Sequence, residues 1–432
     1  MKIAMLMSVY GDRAIGGAER TAAQMAKLLV LRGHSVHLLS LSPKGEITPL
    51  PKNDEGVICE AIPLNQWYDP YNSQGSAMPS ALPKVFLDLW ASMRKAFWHI
   101  RDIYNFKMVF AVRQKLIQIQ PDILFTHTLQ GFSVGVWTAA QSLGIKVVHM
   151  THDHALICPG TAMTRGAHVC ERVCGSCSVF SRIRRAVAIN PNAIIGPSEV
   201  VLERHRRFGW FKNVTIQKSI PNALPVAWQA SEEPSIQSQS EFTIDSPIIF
   251  GFLGRIDESK GADTLVTAVS LLPENLLGRW RVILGGQGSL LQLEKWILGT
   301  HNGTMLWALI SPYIECLGIV KADNFLRKIN VLVTPSRAHE TFCNVVMEAA
   351  SLGCPAIVSD KGALPERVAG GSSGWIFPAG NALALSQQMH ALIEQPLEVA
   401  AKSQAAFNTR ALYAPNLQID RLEQLLADVM HV

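Results

Sequence analysis

Two cationic side chains, Arg255 and Lys260, flank a short loop in the segment GFLGRIDESKG, residues 251–261. The apolar run before them predicts a buried strand that ends at Gly254, and the residues after them predict the start of a helix. A planar guanidinium, a compact ammonium and the free N–H groups of a helix N-terminus together suit a bound diphosphate. A solvated surface loop would explain the same residues, so this segment alone leaves both interpretations open.

Two carboxylates eight residues apart lie in HETFCNVVMEAASLG, residues 339–353. Glu340 follows the predicted strand VLVTPS, and Glu348 lies on a predicted helix that begins near Asn344. Carboxylates accept hydrogen bonds from pairs of hydroxyl groups, so one of them could hold a hexose and the other a ribose. The alternative is a pair of ordinary glutamates near a helix.

Length and composition limit the classes of protein to which this chain can belong. Its 432 residues predict two to three domains, and 48% hydrophobic with 17% charged residues excludes a disordered polypeptide. A net charge of +5 is too weak to indicate a nucleic-acid partner. The sequence has no run of about 20 apolar residues, so it predicts no membrane span. The first segment, KIAMLMSV, predicts a buried strand rather than a signal peptide. Eight cysteines in a chain this long favour a reducing cytoplasm.

The order of predicted elements indicates an α/β protein. Short apolar runs alternate with amphipathic stretches in both halves, which is typical of βαβ units and parallel sheets. Between the halves, residues 221–247 are rich in proline, serine and glutamine, which is linker composition. The sequence therefore predicts an N-terminal domain over 1–220, a linker over 221–247 and a C-terminal domain over 248–412.

Taken in order along nearly the whole chain, the motifs resemble those of the family 4 retaining glycosyltransferases. They are GGAE from Gly16, His127 at the end of DILFTH, the linker entry IPNAL, then GRIDESKG, ILGGQG, and the pair Glu340 and Glu348. The resemblance implies the GT-B fold, in which two Rossmann-like domains face each other across a cleft. It also implies that the C-terminal helix, 413–432, packs back on the N-terminal domain.

The resemblance also implies the roles of individual residues. Arg255 and Lys260 would bind the donor diphosphate and stabilise its developing charge, and Glu340 would hold the donor sugar. His127 would hydrogen-bond the donor sugar or the incoming hydroxyl, unless it is a buried structural histidine. Cys343 departs from the pattern, because the family commonly has glycine there. The residues implied to bind the donor are Gly16, Gly17, Gly254, Thr341, Phe342, Cys343, Asn344 and Glu348.

The activity that the resemblance implies is retaining sugar transfer. The donor would be a nucleoside diphosphate sugar of the UDP or GDP type, and the acceptor a glycan, a lipid-linked molecule or a small molecule, in cell-surface polysaccharide biosynthesis. The departing phosphate would help to deprotonate the acceptor, and catalysis would need no cofactor. The alternatives are a sugar-nucleotide epimerase on the same fold and a non-catalytic nucleotide-sugar binding subunit.

A cysteine-rich segment follows THDHALICPG and resembles one found in a subset of the family. Cys158, Cys170, Cys174 and Cys177 offer four soft ligands in twenty residues. A structural zinc site, reduced thiols in a packed loop and disulfides are the three interpretations. Just before them, His152, Asp153 and His154 would either line the acceptor pocket or support the loop.

Residues 83–120 combine seven Lys or Arg with two Asp, and Phe and Trp recur among the basic positions. The segment predicts helices. One interpretation is a core-packing helix pair with a solvated basic face. The other is a peripheral membrane or lipid-acceptor surface, which would place a cytoplasmic enzyme at the inner face of a membrane.

Overall fold

The computed structural model describes residues 1–11, 16–43, 52–64, 84–165, 168–226, 228, 246–300 and 302–431. Within these ranges the strands are β1 Lys2–Met7, β2 Ser35–Pro43, β3 Asn53–Asp54, β4 Val57–Leu64, β5 Ile123–Thr126, β6 Lys146–Met150, β7 Thr164–Arg165, β8 His168–Val169, β9 Ala193–Gly196, β10 Ile216–Ser219, β11 Ile248–Leu253, β12 Trp280–Gly285, β13 Ile314–Cys316, β14 Val331–Thr334, β15 Ala356–Ser359 and β16 Gly374–Phe377.

The α-helices of the same ranges follow most of these strands. They are α1 Gly17–Leu31, α2 Lys84–Arg101, α3 Phe106–Ile119, α4 Gly135–Gln141, α5 Gly175–Val187, α6 Glu199–Arg207, α7 Ala262–Ser270, α8 Leu290–Leu298, α9 Gly303–Ile310, α10 Ala322–Leu326, α11 Asn344–Ser351, α12 Leu364–Arg367, α13 Ala382–Glu394, α14 Leu397–Asn408 and α15 Pro415–His431. No helix in the described ranges has the length and apolarity needed to cross a bilayer.

The chain forms two compact units that interleave in sequence. The first unit consists of Met1–Thr161, Arg172–Ile220 and Ile419–Val432. The second unit consists of Ala162–Glu171 and Pro221–Gln418. The chain therefore passes from one unit to the other four times.

A sheet in the order β10-β9-β6-β5-β1-β2-β4-β3 forms the centre of the first unit. Its strands pair in parallel except at one edge, where β3 runs antiparallel to β4. Strand β1 is central, with Ile3 opposite Val36 on one side and Ile123 on the other. A strand buried between two parallel neighbours needs apolar residues throughout, which explains the run IAMLM.

Helix α15 contributes to the core of the first unit. Its apolar residues Ile419, Leu422, Leu425, Leu426 and Val429 are buried in one cluster with β1 and α1. Polar contacts accompany this packing, since His34 Nε2 lies 2.9 Å from the Glu423 carboxylate. The C-terminal residues of the chain therefore complete a core that its N-terminal residues begin.

The second unit is built on a parallel sheet in the order β13-β12-β11-β14-β15-β16. Large apolar side chains such as Phe250 and Trp280 fill one side of it, together with α7 and α13. Helices α10, α11 and α12 cover a second cluster. The carboxyl ends of parallel strands share one edge of a sheet, so the loops that follow β11, β12 and β14 lie close together.

Backbone hydrogen bonds join two of these loops. The amide of Gly254 donates to the Gly285 carbonyl at 2.9 Å, and the amide of Ile256 donates to the Gln287 carbonyl at 2.8 Å. The GRIDESKG and ILGGQG segments therefore form one connected structure after β11 and β12.

Gly261 sets how closely the loop after β11 approaches the loop after β14. It has φ +75°, and a Cβ there would lie 1.9 Å from the Pro335 carbonyl oxygen. Gly278 also has a positive φ, but a Cβ there would meet nothing within 4 Å. We expect Gly261→Ala to lower the free energy of unfolding at least about 2 kcal/mol more than Gly278→Ala, because only the first adds a backbone collision to the strain. Urea unfolding of both variants measures this, and equal losses would contradict it.

The basic and aromatic segment forms α2 and α3, and the two helices differ in burial. Helix α3 buries Met108, Val112, Leu116 and Ile119 in the manner of a core helix. Helix α2 instead leaves Trp90, Met93, Phe97 and Ile100 between 52% and 58% exposed. Core packing therefore accounts for α3 but not for the outer face of α2.

Candidate functional site

An ion pair between Lys260 and Glu340 lies at the carboxyl edge of the second sheet. The Lys260 ammonium is 2.6 Å from Glu340 Oε1, and the two side chains are 31% and 12% exposed. The Ser336 hydroxyl donates to the same oxygen at 2.7 Å. An ammonium has three donors, so two N–H groups of Lys260 remain available to another acceptor.

Burial and charge act in opposite directions on this pair. Burial raises the pKa of the Glu340 carboxyl, but the Lys260 ammonium and the Ser336 hydroxyl lower it more, and the net shift is downward. Burial lowers the pKa of Lys260, but Glu340 outweighs burial and raises it. Both groups therefore keep their charges across the neutral range. Arg255 is close enough to affect both.

Arg255 occupies the open end of this cluster. Its side chain is 62% exposed, and its Nε lies 3.5 Å from the Asp257 carboxylate. Asp257 also accepts hydrogen bonds from the Lys260 amide at 2.9 Å and the Ser259 hydroxyl at 2.6 Å. Asp257 thus fixes the turn between the two cations and leaves the guanidinium accessible.

Cys343 is the residue directly before helix α11, and it has φ +71° and ψ +76°. This is the left-handed region that favours glycine, so the family glycine at this position has a conformational reason. Burial and the Glu340 carboxylate raise the pKa of the Cys343 thiol to about 12, so it is protonated. One turn farther, Glu348 is 5% exposed, and the Cys343 thiol senses its charge as well.

Substitutions at Cys343 can measure the free-energy cost of a side chain in this left-handed backbone conformation. We expect Cys343→Gly to unfold with a free energy about 2 kcal/mol higher than Cys343→Val, because a β-branched residue is strained at positive φ. At Cys354, which is fully buried and absent from the positive-φ residues of the described chain, we expect the glycine variant to be the less stable of the two. Chemical unfolding of all four variants gives the comparison. The same order at both positions would contradict it.

The remaining residues of the loop before α11 have structural contacts. The side chain of Phe342 is buried with Leu224, Met347 and Tyr413, and the Arg367 guanidinium lies 4.2 Å from the centre of its ring. The side chain of Phe342 is therefore not available to a ligand. The side chain of Asn344 accepts a hydrogen bond from Asn222 at 2.8 Å, which ties the IPNAL segment to the start of α11. Thr341 lies between Glu340 and Phe342.

The predicted donor-binding glycines differ in what a side chain would meet at each position. At Gly16, which precedes α1, a Cβ would lie 2.1 Å from the Glu19 carboxylate, which is the end of a flexible side chain that can move aside. Gly17 is the first residue of α1. At Gly254 a Cβ would meet only the Phe252 ring, at 3.9 Å. Packing within the chain therefore does not require glycine at 254.

His127 follows β5 directly and is held at the carboxyl edge of the first sheet. Its amide donates to the Leu6 carbonyl at 2.9 Å, and its Nδ1 lies 2.9 Å from His152 Nε2. No described residue pairs with His127 Nε2, which is buried. Burial, followed by the neighbours His152 and His149, holds the pKa of His127 well below its usual range. The imidazole is therefore neutral, with one ring nitrogen left for a ligand.

A cavity of about 20 Å³ lies beside His127 in the first unit. His152, Asp153, Asp102 and Arg184 are among its lining residues. Burial raises the pKa of Asp102 to about 7 and that of Asp153 to about 6. The volume is enough for about one water molecule but not for a sugar ring.

His154 does not line this cavity, unlike the two residues before it. Its amide donates to the Thr161 carbonyl at 3.1 Å, and its ring lies 5.7 Å from that of His205. These contacts support the loop that carries Cys158.

In the cysteine-rich segment, the Cys177 thiol is close to the thiols of both Cys158 and Cys174. Cys158 Sγ and Cys177 Sγ lie 3.5 Å apart, and Cys174 Sγ is 3.5 Å from the Ser176 hydroxyl. The amide of Cys170 donates to the Met163 carbonyl at 2.8 Å. None of the eight cysteines, all within the described ranges, forms a disulfide. The described residues contain no group of three or more metal-ligating side chains, so the zinc site stays a prediction that metal analysis of the purified protein tests.

Residues that the motifs did not single out also hold the site together. Ser336 follows β14. Its hydroxyl donates to Glu340, and its backbone carbonyl accepts a hydrogen bond from the Ser359 hydroxyl. The amides of Arg337 and Ala338 both donate to the Ser259 carbonyl. Ser336 is the last residue of the predicted strand VLVTPS, and its position at a strand end was the signal that could have identified it.

Two family models match the chain. The model described as Glycosyltransferase Family 4 matches residues 15–222, and the one described as Glycosyl transferases group 1 matches residues 235–412. A D-inositol 3-phosphate glycosyltransferase of Stackebrandtia nassauensis is 34% identical over 391 residues, which cover 85% of this chain and 76% of that protein. An uncharacterized 42.6 kDa protein in the cps region of Klebsiella pneumoniae is 24% identical over 85% of this chain and 87% of its own length.

Solved structures share the fold at lower sequence identity. The Anabaena protein HepE, in a crystal structure with UDP-glucose, has a TM-score of 0.64 with this chain at 16% identity. The match covers 100% of both chains.

Proposed function

The chain belongs to glycosyltransferase family 4 and has the GT-B fold, and from that premise we propose that it transfers a sugar from a nucleoside diphosphate sugar to an acceptor hydroxyl with retention of configuration. The second unit would bind the donor and the first unit the acceptor. The contact between Lys260 and Glu340 carries the proposal, because it sets a cation for a diphosphate beside a carboxylate for sugar hydroxyls.

The cluster around Lys260 fits the charge that develops during transfer. The bond between the anomeric carbon and the diphosphate oxygen breaks, and the negative charge passes to the diphosphate. Lys260 and the exposed guanidinium of Arg255 supply fixed positive charge at that point. No described residue donates to Glu340 Oε2, which leaves that oxygen for a sugar hydroxyl. Glu348 would accept from the nucleotide ribose.

Retention follows if the acceptor attacks from the face that the diphosphate leaves. A new bond then joins the acceptor oxygen to the anomeric carbon, and the acceptor proton passes to the departing phosphate. Neutral His127 has one buried nitrogen available to hydrogen-bond a sugar or an acceptor hydroxyl. Nuclear magnetic resonance of the product, which reports its anomeric configuration, tests retention; an inverted product would exclude this route.

The donor and pathway are supported by the similar proteins. The UDP-glucose in HepE favours a UDP-type donor, with a GDP-type donor as the alternative. The Klebsiella relative lies in a cps region, which favours a glycan or lipid-linked acceptor in cell-surface polysaccharide biosynthesis.

Thermal-shift screening with UDP, GDP, ADP and their sugars is the first test. We expect one nucleotide class to raise the unfolding temperature, and no shift with any of them would refute donor binding. Release of the nucleoside diphosphate that depends on an added acceptor supports transfer. Release without an acceptor indicates hydrolysis or epimerase chemistry, and binding without release indicates a non-catalytic subunit.

A further inference from the structure

Arg367, the last residue of helix α12, is a buried cation outside the cluster of Arg255 and Lys260. Its side chain is 6% exposed. Its Nη2 donates to the carboxylate of the neighbouring Glu366 at 2.9 Å, but among the described residues none accepts a hydrogen bond from its Nε or Nη1. Burial of a charged group with unmade hydrogen bonds costs free energy. The other contacts of Arg367 therefore have to offset this cost.

Two aromatic rings supply those contacts. The central carbon of the Arg367 guanidinium lies 4.2 Å from the centre of the Phe342 ring and 5.4 Å from the centre of the Tyr413 ring. The two rings meet edge to face, with their centres 5.9 Å apart and an angle of 89° between their planes. A cation that is shielded from water is attracted to an aromatic ring more strongly than an exposed one. Arg367 therefore joins helix α12 to the loop before α11 and to the residues before α15.

Phe342 directly precedes the residue whose backbone is left-handed. Cys343 has φ +71°, a conformation that is disfavoured for residues other than glycine, so contacts with the surrounding structure must hold it. The Phe342 ring, which is 2% exposed, is the buried part of the loop next to that residue. The stacking of Arg367 on this ring is thus a contact that can keep the loop in its unusual conformation.

Tyr413 is anchored independently of Arg367. Its backbone carbonyl accepts a hydrogen bond from the Leu224 amide at 2.9 Å. Farther along, the Gln418 side chain donates to the Pro221 carbonyl at 2.8 Å. Both bonds join the two ends of the segment Pro221–Gln418, which makes up most of the second unit. Arg367 therefore connects the loop that contains Phe342 to a fixed part of the same unit.

We propose that Arg367 is a positioning residue for donor binding, which acts through the Phe342 ring to hold the backbone of residues 341–344 in the conformation that binds the donor. The inference rests on the proposed function, because it takes this loop as part of the donor site. Without the stacking, a smaller fraction of molecules would have the loop in the binding conformation. The apparent dissociation constant rises in proportion as that fraction falls.

Calorimetric titration of the full-length protein with UDP, GDP and ADP tests the proposal. For the nucleotide that the wild type binds, we expect Arg367→Met to raise the dissociation constant about tenfold. Arg367→Lys keeps a cation near the rings and should raise it less. The matched control is Arg327→Met, at an arginine of the same unit whose side chain is 42% exposed, and it should bind as the wild type does.

The titration separates positioning from a purely structural role. Partial unfolding lowers the number of nucleotides bound per chain and leaves the dissociation constant of the folded molecules unchanged. An unchanged dissociation constant in Arg367→Met, with or without a lower stoichiometry, would therefore overturn the inference and leave the proposed function standing. A wild-type protein that binds none of the three nucleotides would refute the proposed donor site, and this inference with it.

A double-mutant cycle tests whether Arg367 acts through the ring. Phe342→Leu keeps an apolar side chain but removes the aromatic face, so we expect it also to raise the dissociation constant about tenfold. The double variant Arg367→Met with Phe342→Leu should bind about as weakly as either single variant, because both remove the same contact. Effects that multiply would show that Arg367 acts by another route and would overturn the inference. Phe342→Leu and Arg367→Lys carry the test on their own if Arg367→Met does not fold.

Discussion

Replacing Lys260 by alanine is expected to lower turnover about a hundred- to a thousandfold, measured as acceptor-dependent release of nucleoside diphosphate. The ammonium lies 2.6 Å from Glu340 and is the most enclosed cation of the donor cluster. Without it, the charge on the leaving diphosphate would be met by Arg255 alone, which is largely exposed and therefore screened by water. Lys328→Ala, an exposed lysine of the same unit, is the matched control and should keep wild-type turnover.

A loss of stability must be separated from the loss of turnover. Alanine at 260 leaves the Glu340 carboxylate, which is 12% exposed, without its cation, so the variant should also unfold more easily. The double variant Lys260→Met with Glu340→Gln removes both charges and should recover part of that stability while remaining inactive. Wild-type turnover in Lys260→Ala, or restored turnover in the double variant, would refute the role assigned to the ion pair.

Acidification is expected to unfold the first unit. Burial, the main cause in each case, lowers the pKa of His149 to about 3 and those of His152 and His205 to about 4, and holds that of His127 well below its usual range. Below about pH 6.5 these histidines bind protons in the unfolded chain but stay neutral in the folded protein, so the free energy of unfolding falls as the pH falls. Above that pH the rings are neutral in both states and the effect disappears.

Asp102 and Asp153 oppose the histidines. Their pKa values are raised to about 7 and about 6, so the folded state takes up protons at these groups first. The four histidines outnumber the two carboxyls, and the net loss is about 3 kcal/mol per pH unit between about pH 6 and pH 4. That slope removes most of the stability of an ordinary domain within about two pH units.

Urea unfolding at a series of pH values from 8 to 5 measures this slope, with the fluorescence of the tryptophans in the first unit as the signal. A free energy of unfolding that stays constant over about that range would contradict the histidine account. His205→Gln should reduce the slope by about 1.4 kcal/mol per pH unit, because it removes one such ring while a side-chain donor remains for the Val201 carbonyl. Asp102→Asn should change the slope in the opposite direction and make it steeper. The same slope in all three proteins would show that other groups control the transition.

The family and the fold could be predicted from the sequence because their signals are local or ordered along the chain. The apolar runs that predicted strands are strands, as KIAMLMSV is at β1 and VLVTPS at β14. Helix α11 begins at Asn344, as expected. Helix α1 begins at Gly17, directly after the extended residue Gly16.

Other features of the site depend on contacts between distant residues, which one sequence does not contain. The left-handed backbone of Cys343 is visible only in the structure, although the departure from glycine marked the position. The hydrogen bond from Lys260 to Glu340 joins residues 80 positions apart, on the loops that follow β11 and β14. The five buried histidines 127, 149, 152, 154 and 205 come from three separate segments, so their shared desolvation could not be read from spacing. The roles of the predicted donor and acceptor residues stay predictions.

The interleaving of the two units has a consequence for biosynthesis. Ile419, Leu422, Leu425, Leu426 and Val429 belong to the core that begins with β1, yet the ribosome makes them after every strand of both sheets. Until residue 429 has been made, the sheet made first lacks one of its covering helices, and its apolar face stays open to the ribosome exit region and to chaperones. A nascent chain that stalls before residue 419 would carry this uncovered face, which is a surface that chaperones bind.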